Sequence, residues 1–87
     1  MSVQKYRNKL VVIEAIQYQR EDNIIAVQNF VGNDILRYNE DCNEYYIKTE
    51  GENIKLLKGD YIIKPAAGEF YVCKPDMFEA RYEKVGD

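Results

Sequence analysis

Histidine is missing from all 87 residues. Its absence removes the commonest general base, the commonest metal ligand and the side chain that titrates nearest neutral pH. Aliphatic hydroxyls are almost as scarce. Ser2 and Thr49 are the only ones, one beside the amino terminus and one in an expected loop, and neither has an activating base in view. Hydrolysis by a Ser-His-Asp or Cys-His arrangement is therefore excluded. Cysteine is limited to Cys42 and Cys73, too few and too far apart to close a tetrahedral zinc site without histidine. The Asp41-Cys42-Asn43-Glu44 cluster lacks the spacing of a calcium loop, and the glycines follow no phosphate-cradling pattern. No apolar run approaches the roughly 20 residues of a membrane span. The first residues also lack the charged, apolar and small-residue succession of an export signal. The expectation is a non-enzymatic protein of the cytoplasm with reduced thiols, no metal, no cofactor and no membrane contact.

What is present describes an ordinary small globular chain. At 46% hydrophobic and 31% charged, it has enough apolar surface for one domain over residues 1–87. Such a core is only marginally stabilising, so a homo-oligomer is compatible with it. Eight tyrosines stand against no tryptophan, and their hydroxyls favour the edge of a core or a contact surface. The net charge of −3 argues against nucleic acid as a partner, which usually meets a basic stripe. Glu40, Asp41, Glu44, Glu50 and Glu52 have lysines near them and read as a solvated face.

The continuous apolar run Leu10-Val11-Val12-Ile13, followed by Ala15-Ile16-Gln17-Tyr18, predicts a central strand over 10–18, covered on both faces at least along its first half. Glu21-Asp22-Asn23 offers capping groups for a helix whose apolar stripe is Ile24, Val27 and Val31, closed by Gly32-Asn33. Residues 34–38 predict a short strand, and 44–48 and 53–57 a hairpin around Gly51. A tight Lys58-Gly59-Asp60 turn leads to strands over 61–64 and 69–73. Pro75 then suits the first position of a short helix, with Asp76 and Glu79 near its start. Met77 and Phe78 are expected to close one end of the core, and 81–84 to add a last extended piece. The predicted fold is α+β: a strongly bent antiparallel sheet of five to six strands, partly closed like a barrel, with one main helix packed on it and a short carboxy-terminal helix.

Two stretches carry a family resemblance. Lys5-Tyr6-Arg7 followed by Val11-Val12-Ile13-Glu14-Ala15 resembles the opening Lys-Tyr-Arg-x-x-Pro-Val-Val-x-x-Ala motif of small proteins found widely in phages and prophages. Gly59-Asp60-Tyr61 and Gly68-Glu69-Phe70-Tyr71-Val72-Cys73-Lys74-Pro75-Asp76-Met77-Phe78 are similar to the Pro-Gly-Asp-Tyr and Gly-Glu-Phe-Tyr-x-Cys-x-Pro-Asp-x-Phe motifs of the same group. Leu10 and Lys58 stand where that group usually has proline, which loosens two turns without altering the hydrophobic pattern. The resemblance implies a phage or prophage origin and carries over no catalytic residue.

Strand alternation suggests one candidate binding face. Tyr61, Lys64, Tyr71 and Lys74 are expected on adjacent strands, with Tyr61 and Lys64 on opposite faces. If Tyr71 and Lys64 share a side, that face offers a phenol, an ammonium and Glu69, and Lys5, Tyr6 and Arg7, next to the central strand, can add to it. Such a patch suits an anionic small molecule of nucleotide type, with rings on tyrosine and phosphates on lysine or arginine. The leading expectation for the whole chain is non-catalytic binding to a host protein as an inhibitor of a defence system; capture of a nucleotide-like ligand is the alternative. Cys73 precedes Lys74 and an expected helix start, both of which favour thiolate. The favoured reading is nevertheless a small, partly buried strand residue packed beneath that helix.

Overall fold

The computed structural model describes residues 3–8 and 11–85. Leu10, expected to open the central strand, lies outside them. In chain order the elements are β1 (Gln4–Asn8), β2 (Val11–Gln17), α1 (Ile24–Val31), β3 (Leu36–Asn39), β4 (Glu44–Lys48), β5 (Asn53–Lys55), β6 (Tyr61–Lys64), β7 (Tyr71–Cys73), α2 (Pro75–Arg81) and β8 (Glu83–Lys84). The fold is α+β, with every strand pair antiparallel.

The expected single sheet is in fact two, ordered β7-β6-β2-β1-β8 and β3-β4-β5, and neither closes into a barrel. Closure needs strands long enough to tilt and stagger around an axis. Outside β2 no described strand exceeds five residues, which is too short for that geometry. β5 also ends early: Leu56 turns inward to 2% exposure while its N–H still reaches Tyr45 O at 3.0 Å.

β2 sits at the centre of the larger sheet, between β1 and β6. Its side chains alternate between two apolar layers. Ile13 and Ala15 join Ile63 and Phe78, with Tyr6, Tyr61, Cys73 and Tyr82 packed around them. Ile16 joins Ile62, Val27, Val31, Leu36, Ile47 and Leu56, so the second layer ties α1 and both sheets together. The two-sided cover falls on the second half of β2, not the first. Val12 is 52% exposed, because α1 and the small sheet shield only the Ile16 end of that face.

α1 buries Val27 and Val31 and leaves Ile25 outside. It ends where Gly32, at φ +98°, donates to Gln28 O, a conformation glycine adopts without a Cβ clash. Asn23 does not cap the helix. Its Oδ1 accepts the Gln19 N–H at 2.9 Å and its Nδ2 donates to Gln17 O at 2.7 Å, anchoring the exit of β2 instead. In α2, Pro75 occupies the first turn and Asp76 Oδ1 accepts the Met77 N–H. Phe78 is buried, but Met77 is exposed. Neighbouring helical residues point about 100° apart, so only one of the two can close the core.

Candidate functional site

Strand register decides where the expected binding residues fall. Ile63 lies opposite Tyr71 and Tyr61 opposite Cys73, while Lys64 lies opposite Glu14 and Glu14 opposite Lys5. Tyr61 and Tyr71 therefore share the α2 face with Tyr6, whereas Lys64 and Lys5 sit on the other face, on either side of Glu14. The expected Tyr71–Lys64 patch does not form, since a one-residue difference in register moves a side chain to the opposite face. Arg7 contributes backbone to β1 opposite Val12 and Glu83; its side chain lies outside the described residues. Glu69 precedes β7 instead of belonging to it, and its Oε2 accepts the Glu50 N–H at 2.8 Å, joining two loops.

The tyrosines on the α2 face form a wall of rings around Phe78. Tyr61 stacks on Phe78 with centroids 3.8 Å apart and planes 5° from parallel. Tyr6 meets Phe78 edge-on at 4.7 Å, and Tyr82 lies against it at 4.9 Å. Tyr71 and Tyr82 share a hydrogen bond between hydroxyls at 3.1 Å. Burial raises the phenol pKa of Tyr6 and of Tyr61. Tyr71 is pushed up to about 12, by burial first and by its bond to Tyr82 second. Tyr6 and Tyr61 are half-buried and packed, which suits a structural layer, whereas Tyr71 stays 38% exposed at its edge with its hydroxyl taken by Tyr82. Cys73 lies at the edge of the same layer, and burial pushes its thiol up despite the Arg81 guanidinium nearby. That environment disfavours thiolate.

Lys74 is also committed. Its Nζ reaches Asp60 Oδ1 at 3.2 Å and Oδ2 at 3.3 Å. Asp60 Oδ2 accepts the Leu57 N–H as well, closing the Lys58-Gly59-Asp60 turn on itself. The turn docks on β2 through Tyr18 N–H to Asp60 O and Gly59 N–H to Tyr18 O, both 2.7 Å. Lys74 thus neutralises a buried carboxylate, as such a charge requires.

One surface that packing leaves open is the outer face of β3-β4-β5. Leu36, Tyr45, Ile47 and Ile54 point into the core. The alternate residues point out, and there Arg37, Tyr46 and Lys55 stand directly opposite one another across the three strands. Asn39, Glu44, Lys48 and Asn53 complete that face, which therefore carries three cations and one carboxylate on a chain whose net charge is −3. Tyr46 is half-buried between the two cations. Beside it Asn39, Cys42, Glu44, Tyr46, Asn53 and Lys55 line a cavity of about 220 Å³. Lys55 Nζ sits 3.1 Å from Glu44 Oε1 there. Sequence reasoning missed this face, although the alternation of Glu44, Tyr46 and Lys48 about Tyr45 and Ile47 was readable. The acidic residues around it suggested only solvation.

Among the described residues no group of three or more His, Cys, Asp or Glu side chains could hold a metal ion, and no helix is long and apolar enough to cross a membrane. No protein-family model, curated protein or solved structure matches the chain.

Proposed function

We propose that the chain is a non-catalytic binding protein, a phage or prophage accessory component that acts in the host cytoplasm by contact with a host protein of a defence system. The observation that carries this reading is the line of Arg37, Tyr46 and Lys55 on the outer face of the small sheet. Arginine and tyrosine are the residues that most often anchor protein interfaces. A locally cationic face on an acidic chain selects an acidic partner surface and steers its approach. The only two aliphatic hydroxyls are Ser2 and Thr49, and the Thr49 Oγ1 is held in its own loop, donating to Glu52 O at 2.7 Å. Wild-type protein used as bait in host lysate should retain a partner that the Arg37→Glu and Tyr46→Ala variants, both still folded, release. Equal retention by wild type and variants would remove the outer face from the reading.

Capture of a small anionic ligand is the second reading, favoured by the cavity beside Tyr46. Its 220 Å³ lies below the roughly 300–1,000 Å³ of drug-sized pockets. It suits one ring system with the remainder of the ligand lying outside, along Arg37 and Lys48.

A further inference from the structure

We infer that the cavity beside Tyr46 is a guanine site, so that the ligand class of the second reading, on which this inference rests, is a guanine nucleotide. Glu44 supplies the first reason. Its Oε1 is sealed from solvent and takes no hydrogen bond, whereas buried carboxylate oxygens are nearly always bonded. The charge beside it, Lys55 Nζ at 3.1 Å, compensates Oε1 as an ion pair without hydrogen-bond alignment, and the Lys55 side chain is 60% exposed. That lysine is free to swing off the carboxylate without disturbing the core.

The second reason is complementarity. Rotation of the exposed Lys55 side chain would uncover Oε1, so that the Glu44 carboxylate accepts from a ligand while the Lys55 ammonium donates from the cavity wall. The Watson–Crick edge of guanine presents the matching order: the N1–H and N2–H donors beside the O6 acceptor. Adenine sets an acceptor nitrogen where guanine has N1–H and so places a lone pair against Glu44. Uracil has a single N–H between two carbonyls and satisfies one oxygen only. Cytosine has an amino group but no ring N–H on that edge. The Tyr46 ring forms the flat wall on which a base stacks. Asn39 and Asn53 line the cavity with amides able to meet the remaining ring nitrogens. Arg37 and Lys48, on the same outer face, stand where phosphates emerge.

Titration calorimetry with GMP, IMP, AMP, CMP and UMP on the full chain tests the assignment, alongside the Glu44→Gln and Tyr46→Ala variants. GMP should bind at least tenfold tighter than AMP, CMP or UMP. IMP, which lacks the N2 amino group, should fall between GMP and AMP. Glu44→Gln should lose at least tenfold for GMP and erase the GMP–IMP difference, while its melting temperature stays close to that of the wild type. Equal binding of GMP and AMP, both lost in Tyr46→Ala, would overturn the guanine assignment and leave small-ligand capture standing. GMP binding that survives Glu44→Gln would overturn the site. No heat and no thermal shift with any of the five nucleotides would overturn both the assignment and the small-ligand reading.

Discussion

Lys74 lies across Asp60, with its Nζ within 3.3 Å of both carboxylate oxygens, and Asp60 is 1% exposed while the lysine side chain is 55% exposed. The pair joins the start of β6 to the start of α2. It holds the aromatic layer under the helix by fixing the turn from which Tyr61 emerges.

The two partners should contribute unequally. Asp60→Ala removes the acceptor of the Leu57 N–H but leaves a lysine already in contact with water, so denaturant unfolding should show a loss of about 1–3 kcal/mol. Lys74→Met leaves the buried Asp60 carboxylate without its counter-charge, so about 3–5 kcal/mol is expected. A Lys74 variant that lost less than the Asp60 variant would contradict the geometry.

Alkaline stability should depend on Tyr71. Its phenol ionises at about 12 in the folded protein, against an ordinary value of 10.0, so above pH 10 the folded state holds a proton that the unfolded chain releases. The stabilisation tied to that proton is complete below pH 10 and is lost as the pH rises toward 12. Phenolate absorbance should show several tyrosines ionising late, since burial also raises Tyr6, Tyr18 and Tyr61, and Tyr71→Phe should lower the late amplitude by one tyrosine. A Tyr71→Phe variant with an undiminished late amplitude would assign the shift elsewhere.

The two thiols should separate by rate. Cys42 is exposed and Cys73 is partly covered, with burial holding the Cys73 thiol in its protonated form. Iodoacetamide at pH 8, followed by mass spectrometry, should modify Cys42 first. Cys73 should follow only on denaturation. Rapid native alkylation of Cys73 would mean that its edge of the aromatic layer opens.

Much of this architecture was legible in the chain. The apolar β-branched run in Tyr61-Ile62-Ile63-Lys64, the three-and-four spacing of Ile24, Val27 and Val31, and Pro75 before Asp76 are local signals set by backbone sterics and side-chain period. They located most strands and both helices within a residue or two. β1 was the exception, because Lys5-Tyr6-Arg7-Asn8 is polar in composition and becomes a strand by pairing with β2. The division into two sheets was not legible either, since no local residue records which strands will pair.

Residue chemistry by itself determined what this protein lacks, imidazole and an aliphatic hydroxyl beside a base, and which segments were strand or helix, because both follow from composition and short-range geometry. Tertiary structure alone decided which side chains meet. Register placed Tyr71 against Ile63 and sent Lys64 to the opposite face. Packing then closed α2 over the tyrosines expected to bind, and left Arg37, Tyr46 and Lys55 in line on the outside of the small sheet. Such a line depends on the pairing register of three successive strands, a relation that spacing along one strand does not encode.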